Sequence, residues 1–295
     1  MGILETIEKL YPEMSKSQKA IADYVLSSYD KAAYMTAGKL ASSVNVSEAT
    51  VVRFTTEIGF SGYPAFQQAL KEELKSRLTS VQRLDYTEKF ADNMAVVQEV
   101  MKTDVSNVRN TLDNLSQESF DSAVDMILNA RKIYIMGIRA SAPLSEFMHF
   151  YMTMLFDDVV LVRSNCTNEL FEQVMPITDN DVLIGISFPR YSARTINSLA
   201  YAHNRGAKTI AITDRSGTAM TENADVALLA TSSMASFVDS LTAPLSLINA
   251  LLVALGMHRK EHLKTSFESL ETLWSQYKVY ETGHDREDKG DFPAP

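Results

Sequence analysis

The feature that most constrains the fold is an alternation of short strand-like runs with helical stretches from residue 132 onward. The five apolar runs are residues 133–136, 159–162, 182–186, 209–212 and 226–229, and the helical patterns between them are residues 142–155, 168–175, 192–205 and 218–223. Such alternation is typical of a parallel sheet that carries helices on both faces. We therefore predict a five-stranded, doubly wound α/β domain in this part of the chain.

The turn that follows the third predicted strand is the first candidate for a ligand site. Ser187, Arg190, Ser192 and Thr195 follow the apolar run, and a helix begins near Ser192. A helix start offers unpaired backbone N–H groups and the positive end of the helix dipole, and hydroxyls with a guanidinium add further ligands for a phosphate group. The alternative is an ordinary connection in which Ser192 is only an N-cap. The stretch alone leaves both alternatives open.

A second strand end has similar chemistry. After the first predicted strand, Gly137 permits a tight turn, Ser141 can cap the next helix and Arg139 adds an anion ligand. Ligands of open parallel sheets bind beyond the carboxyl ends of the strands, so both turns are placed for one site. The motifs Gly-x-x-x-x-Gly-Lys-Ser/Thr and Gly-x-Gly-x-x-Gly are both absent, which disfavours a nucleotide.

Residues 1–78 have helical periodicity and contain a short helix, a tight turn and a second helix. The first of these two helices covers residues 36–44, and Asn45 tolerates the left-handed backbone of the turn. Ser47 can cap the second helix and Gly59 can end it. This order of elements predicts an all-α helix-turn-helix domain.

The second helix of this pair has two distinct faces. Its inward apolar stripe consists of Val51, Phe54 and Ile58. Its outward stripe consists of Ala49, Val52, Arg53 and Thr56, with Thr50 at the edge. Such a face can enter the major groove, where Arg53 would read a guanine edge or hold a phosphate. The alternative for Arg53 is an ion pair with Glu57, one turn later on a structural helix.

The charge of the chain limits how it can bind DNA. The formal net charge is −9, which argues against a chain that coats nucleic acid. Residues 1–80 contain nine Lys or Arg and nine Asp or Glu, so the excess negative charge lies beyond residue 80. A neutral reading domain binds one half-site weakly. We therefore expect a dimer that holds two half-sites on one face of the DNA.

Two segments of the helical part resemble a known family. Val-Ser-Glu-Ala-Thr-Val-Val-Arg-Phe at 46–54 and Ile-Gly-Phe-Ser-Gly-Tyr-Pro-Ala-Phe at 58–66 resemble the N-terminal domain of the RpiR/MurR family of bacterial transcriptional regulators. The resemblance extends over most of residues 1–78. It implies that Ser47, Thr50 and Arg53 lie on the recognition helix, and that Ser61 and Tyr63 lie near the DNA backbone.

Residues 105–257 resemble the SIS (sugar isomerase) domain, which binds phosphosugars. Its common signatures are Gly-x-Gly-x-Ser after the first strand and Ser-x-Ser-Gly-x-Thr after a middle one. This chain has Arg139 at the second glycine and Pro189-Arg190-Tyr191 around the usual Ser-Gly. The resemblance implies phosphate-side ligands at Ser141, Ser187, Ser192 and Thr195, and a dimer or tetramer through this domain. The two arginines favour a stronger or additional anionic group on the ligand.

No catalytic group stands out. Sugar isomerisation needs a positioned base, and the candidates near the strand ends are more typical of solvated or capping helix positions. They are Glu146, His149, Glu169 and Glu172. His258 and His262 lie one turn apart, but Glu261 does not have the position it takes in His-Glu-x-x-His. We therefore expect no catalytic residue, no metal site and no cofactor.

These patterns divide the chain into four parts. They are a helix-turn-helix DNA-binding domain at 1–78, a linker at 79–92, a SIS-like phosphosugar-binding domain with flanking helices at 93–282, and a flexible tail at 283–295. Residues 240–255 are apolar all round, which predicts burial in the core or in a subunit interface. The single Cys166, the charged residues 1–10 and the lack of a membrane-length apolar run favour a cytoplasmic protein without membrane contact.

The expected function is a DNA-binding transcriptional regulator of carbohydrate metabolism whose C-terminal domain senses a phosphorylated sugar. Its expected partners are double-stranded operator DNA, a phosphosugar effector, and copies of itself in a homodimer or homotetramer. One alternative is a sugar-phosphate isomerase or lyase with an accessory helical domain, which would need a positioned base. Another is a structural oligomerisation protein, which would show no melting shift with a ligand.

Overall fold

The computed structural model describes residues 3–77, 91–163, 166–234 and 236–277. The buried apolar side chains of these ranges form three clusters, one drawn from residues 3–70 and two from residues 123–255. The predicted linker at 79–92 lies outside the described residues except for Ala91 and Asp92. The predicted tail at 283–295 lies wholly outside them.

The N-terminal part is helical, as predicted. Its helices are α1 (Ile3–Leu10), α2 (Lys16–Ser27), α3 (Tyr29–Ala32), α4 (Ala37–Ser43), α5 (Glu48–Glu57) and α6 (Tyr63–Arg77), with a 3-10 turn at Tyr11–Glu13. Ser15 begins α2 with a capping box, because its hydroxyl accepts from Gln18 N and the Gln18 side chain accepts from Ser15 N.

The helix-turn-helix consists of α4, the turn at Asn45 and α5. Asn45 has a φ of 56°, the left-handed conformation that lets the chain reverse between the two helices. The hydroxyl of Ser47 accepts from Thr50 N at 3.2 Å and so caps α5. Gly59 follows α5 with a φ of 98°. The inward residues of α5 are buried as predicted: Val51, Phe54 and Ile58.

Two further helices, α7 (Asn93–Asn114) and α8 (Gln117–Leu128), precede the sheet. The buried polar residues of α7 fix it to the segment that follows the last strand. The Asn107 amide donates to Ser233 O at 3.0 Å, and Thr231 N donates to Thr111 Oγ1 at 2.8 Å. Because these donors and acceptors are shielded from water, the bonds hold α7 in register against the C-terminal part.

The C-terminal part is a five-stranded parallel sheet in the order β2-β1-β3-β4-β5. The strands are β1 (Lys132–Gly137), β2 (Val159–Val162), β3 (Asp181–Ile186), β4 (Lys208–Thr213) and β5 (Val226–Leu229). The helices are α9 (Ala142–Leu155), α10 (Thr167–Val174), α11 (Ala193–Asn204), α12 (Ala219–Glu222), α13 (Thr242–His258) and α14 (Lys260–Tyr277).

The sheet is covered on both faces, which confirms the predicted α/β architecture. Apolar side chains of α8, α9 and α13 pack on one face, and those of α10, α11 and α12 pack on the other. The central strands β1, β3 and β4 are buried on both faces and the edge strands β2 and β5 are partly buried, which explains why the strands appear in the sequence as apolar runs. Strand β1 has β2 on one side and β3 on the other, so the direction in which the chain adds strands reverses at β1. The crevice at this switch point, beyond the strand ends, is where such sheets bind ligands.

Helix α13 is apolar on both sides, but only one side packs against the core. Ile248, Leu251 and Leu255 are buried there, while Val253 and Met257 are exposed. Contacts within the chain therefore bury one face of this stretch, and the other face stays exposed. Among the described helices, none is long and apolar enough to cross a membrane.

Candidate functional site

The two polar turns predicted from the sequence lie side by side. Gly137 at the end of β1 is the register partner of Ile186 at the end of β3, so the turns that follow them leave the same edge of the sheet. This edge is the switch point between β1 and β3. The fold thus brings Arg139 and Ser141 to the same edge as the turn at Ser187.

The turn after β3 is organised by its own hydroxyls. The buried Ser187 Oγ accepts from Ser192 N at 3.0 Å, and Ser192 Oγ accepts from Thr195 N at 3.4 Å at the start of α11. Thr195 is fully buried, yet its hydroxyl has no hydrogen-bond partner within the described residues. A buried hydroxyl without a partner is uncommon and points to a ligand or a water at this position.

The turn after β1 is tighter. A side chain on Gly137 would meet Ser141 O at 2.5 Å, so only glycine lets the two backbone segments approach this closely. Ser141 is buried and occupies the N-cap position of α9. Its hydroxyl makes no capping bond, which corrects the prediction that it caps this helix. The hydroxyl is therefore not committed to a capping role.

Two arginines in these turns have left-handed backbone conformations. The φ of Arg139 is 57° and that of Arg190 is 69°, and among the described non-glycine residues only Asn45 shares a positive φ. Such a conformation costs roughly 1–3 kcal/mol for a residue with a side chain, and it clusters at functional sites. Arg139 occupies a position where one SIS signature has glycine, and Arg190, counted from Ser187, occupies the glycine position of the other signature. The turns thus keep a backbone suited to glycine while they present two guanidinium groups.

The backbone strain at Arg190 makes a specific prediction. Arg190→Gly is expected to be more stable than Arg190→Ala by about 1 kcal/mol, because glycine adopts a positive φ without the clash of a Cβ. Both variants lose the guanidinium, so the alanine variant is the matched control. Urea denaturation of the two variants measures the difference. Equal free energies of unfolding would show that the turn is not strained at Arg190.

A third strand end contributes residues that the sequence reasoning missed. Asp214 and Arg215 follow β4, the neighbour of β3, and the Tyr191 hydroxyl donates to Asp214 Oδ1 at 2.7 Å. Burial raises the pKa of Asp214, although the hydrogen bond from Tyr191 and the charge of Arg215 oppose this shift. In the sequence, the polar residues that follow the fourth predicted strand were the only sign of a further contribution to the site. The strand order is needed to show that these residues lie next to the turn at Tyr191.

Of the four acid–base candidates from the sequence, three are exposed, and the fourth, His149, is half-buried on α9. Glu146 is exposed and lies 3.9 Å from Arg163 in an ion pair. Glu169 and Glu172 are exposed on α10, and the side chain of Cys166, which precedes this helix, is also exposed. Within the described ranges, no group of three or more His, Cys, Asp or Glu side chains is arranged to hold a metal ion.

The outward face of α5 is exposed as the sequence predicted. Ala49, Val52, Arg53 and Thr56 face solvent, and Thr50 is half-buried at the edge. The alternative partner of Arg53 is engaged elsewhere, because the Glu57 carboxylate accepts a hydrogen bond from the Gln18 amide. No ion pair between Arg53 and Glu57 occurs among the described residues.

The two residues expected near the DNA backbone, Ser61 and Tyr63, differ in their exposure to solvent. Ser61 is exposed. Tyr63 is buried, its hydroxyl donates to Met35 O at 2.8 Å, and burial raises its pKa to about 12. The side chain therefore fixes α6 to the segment before α4. The prediction that Tyr63 lies near the DNA backbone is therefore wrong, because the side chain is buried and its single donor already bonds Met35 O inside the domain.

A helix-turn-helix at the N-terminus and a parallel sheet with polar turns at its switch point define a two-part regulator. Residues 1–77 match the model of the helix-turn-helix domain of the rpiR family, and residues 126–254 match the model of the SIS domain. The chain belongs to the RpiR family of HTH-type transcriptional regulators.

The relatives agree with this assignment. The chain is 30% identical over 230 residues to an uncharacterized HTH-type transcriptional regulator of Haemophilus influenzae, with 77% of this chain and 79% of the relative covered. It is 29% identical over 238 residues to the HTH-type transcriptional regulator HexR of Escherichia coli, with 77% of each chain covered. The chain therefore spans most of the length of both regulators.

Two solved structures share the fold. The sugar isomerase domain of an RpiR transcription factor from Sphaerobacter thermophilus is 26% identical, with a TM-score of 0.56, and covers 59% of this chain and 97% of its own. The Vibrio vulnificus NanR protein complexed with ManNAc-6P is 18% identical, with a TM-score of 0.59, and covers 95% of this chain and 100% of its own. The second likeness concerns the fold alone and extends over nearly the whole chain.

Proposed function

We propose that this regulator acts on genes of carbohydrate metabolism and that its C-terminal domain senses a phosphorylated sugar. The ligand occupies the crevice beyond β1 and β3, and Ser141, Ser187, Ser192 and Thr195 bind its phosphate group. The N-terminal domain binds double-stranded operator DNA in the cytoplasm. The C-terminal domain has a sensing role and no catalytic role.

The observation that carries this proposal is the juxtaposition of two hydroxyl-rich turns at the β1–β3 switch point. The turn after β3 leads into α11, whose N-terminus supplies backbone N–H groups and a positive dipole for an anion. The buried Thr195 hydroxyl, without a partner in the described part of the chain, fits the same role. NanR, which shares the fold, is complexed with the phosphosugar ManNAc-6P.

The two arginines with a positive φ, Arg139 and Arg190, favour a narrower class of phosphosugar. Arg139 and Arg190 are both exposed at this edge, so their guanidinium groups can reach a ligand that lies above the turns. A guanidinium binds phosphate or carboxylate through paired N–H donors. We infer a phosphosugar with a second anionic group, such as a sugar bisphosphate or a phosphorylated sugar acid.

On the DNA side, the exposed face of α5 and the following turn supply the contacts. The proposed set is Ser47, Thr50, Arg53, Thr56 and Ser61. Ser47 and Thr50 form a polar pair at the start of α5, with their hydroxyl oxygens 2.8 Å apart. In helix-turn-helix proteins it is the N-terminal part of the recognition helix that contacts base edges. Arg53, one turn later, supplies the single cation of this face.

The assembly is proposed to be a homodimer or homotetramer through the C-terminal domain. The exposed apolar side chains of α13 and α14, among them Val253, Met257 and Phe267, form a surface that a second copy would cover. A dimer would also place two α5 helices on successive half-sites, as the neutral N-terminal domain requires. The native mass of the full-length chain in solution measures the assembly.

A thermal-shift screen tests the proposed function. The panel contains hexose 6-phosphates, fructose 1,6-bisphosphate and phosphorylated sugar acids, with the unphosphorylated sugars as controls. We expect stabilisation by phosphorylated members only, since a ligand that binds the folded state raises its melting temperature by mass action. Absence of any shift would contradict phosphosugar sensing, and turnover of a phosphosugar at an enzyme-like rate would replace the regulator with an isomerase.

A further inference from the structure

An ion pair joins helix α6 of the N-terminal part to the turn that follows β4 in the sheet. Arg215 Nη1 donates to Glu73 Oε2 at 2.8 Å, from the turn after β4 to helix α6. The Glu73 side chain is only 4% exposed, whereas that of Arg215 is 33% exposed. A carboxylate that is shielded from water depends on charged or hydrogen-bonded neighbours in the protein. The pair therefore resists separation more than a surface ion pair would.

The Arg215 end of this pair is connected to the ligand turn. Arg215 Nε lies 3.9 Å from Asp214 Oδ2, and the other oxygen of Asp214 accepts from the Tyr191 hydroxyl at 2.7 Å. Tyr191 lies between Arg190 and Ser192 in the turn to which we assign phosphate binding. A ligand that pulls or orders this turn therefore acts on Asp214, and through it on Arg215.

The Glu73 end is connected to the DNA-reading helix. Helix α6 carries Phe66, whose ring packs edge-to-face on Phe54 of α5 with 6.1 Å between centroids. Both rings are fully or almost fully buried. A displacement of α6 therefore carries α5 with it, because close-packed side chains transmit movement rather than absorb it.

We propose that Arg215 and Glu73 form the link through which the ligand turn sets the position of α6 and of the recognition helix. This inference rests on the proposed function of the site. Arg215 acts here as a positioning residue. The series Tyr191, Asp214, Arg215, Glu73 runs from the effector site to the DNA-binding domain, and the ligand shifts regulation only if this series has different contacts in the free and bound states.

The test compares DNA affinity with and without the strongest-binding phosphosugar of the panel, for the full-length chain on DNA that it selects from a random pool. We expect the phosphosugar to change the DNA affinity of the wild type at least about five-fold. In Glu73→Gln, which keeps the shape and removes the charge, the change should fall to less than two-fold. The melting shift given by the phosphosugar should stay as in the wild type, since Glu73 lies on α6 and not in the ligand turn.

Three further variants complete the test. Arg163→Gln breaks the exposed pair with Glu146 within the C-terminal part and should keep the wild-type response. Arg215→Gln should lose the response as Glu73→Gln does. The swapped pair Glu73→Arg with Arg215→Glu should recover at least part of it, which also shows that a loss in the single variants is not a failure to fold.

The outcomes separate the two proposals. A wild type that responds to the phosphosugar, together with Glu73→Gln and Arg215→Gln variants that respond equally, contradicts the link and leaves the sensor intact. A wild type that shows neither a melting shift nor a change in DNA affinity contradicts the proposed function, and the link falls with it.

Discussion

Replacing Ser187 and Ser192 together by alanine is expected to abolish the thermal stabilisation that a phosphosugar gives the wild-type chain. Each hydroxyl that donates to a charged phosphate oxygen contributes about 1.5–3 kcal/mol. Loss of both lowers the affinity at least about 100-fold, which removes the melting shift at concentrations that saturate the wild type. Differential scanning fluorimetry with increasing phosphosugar measures this directly.

The double variant needs a control for the loss of a helix cap. Ser192 Oγ accepts from Thr195 N, so its removal costs about 1 kcal/mol of stability without any ligand. Ser116→Ala removes an equivalent cap from α8, where Ser116 Oγ accepts from Ser119 N at 3.2 Å. The control should lose a similar amount of intrinsic stability and keep the full melting shift. Retained ligand stabilisation in the double serine variant would place the site elsewhere.

The second large effect is expected at Arg53. Arg53→Ala should weaken binding to the selected DNA by roughly 10- to 100-fold, because a bidentate contact to a base edge contributes about 1–3 kcal/mol of discrimination. Folding and oligomer size should not change, since the side chain is exposed. Fluorescence anisotropy with the selected DNA and with an unrelated duplex separates the two possible roles of the guanidinium.

A base contact lowers only the affinity for the selected DNA, whereas a phosphate contact lowers both affinities and reduces the salt dependence. Lys31→Ala is the control, because it removes an exposed charge from α3, outside the helix-turn-helix. It should leave specific binding within about two-fold of the wild type. If Arg53→Ala binds the selected DNA as tightly as the wild type does, Arg53 is not part of the reading surface.

The sheet could be predicted closely from the sequence, because its three central strands are buried on both faces and its two edge strands are partly buried. Apolar runs then begin and end where the strands do, and every predicted strand end lies within one residue of the structure. The hydroxyl residues that follow β1 and β3 could also be predicted as candidate ligands, because polar side chains follow the apolar runs directly there. Short-range hydrogen bonds also fixed the caps at Ser47 and Ser192, which depend only on neighbours three residues away.

Two features of the site could not be predicted, for different physical reasons. The family resemblance placed Tyr63 near the DNA backbone, but a tyrosine ring can be buried when its hydroxyl finds an acceptor, here Met35 O. Arg215 and Glu73 are separated by 142 residues, and no local pattern pairs them. Only the strand order and the packing of α6 bring the two charges together.

The most direct test of the sensor account is the affinity of the full-length chain for its selected DNA, measured across a titration of the strongest-binding phosphosugar. The account predicts a change of at least about five-fold that saturates at the concentration where the melting shift saturates. The same titration of the Ser187→Ala, Ser192→Ala variant should leave the DNA affinity constant. A wild-type affinity that stays constant while the phosphosugar is bound would contradict the account.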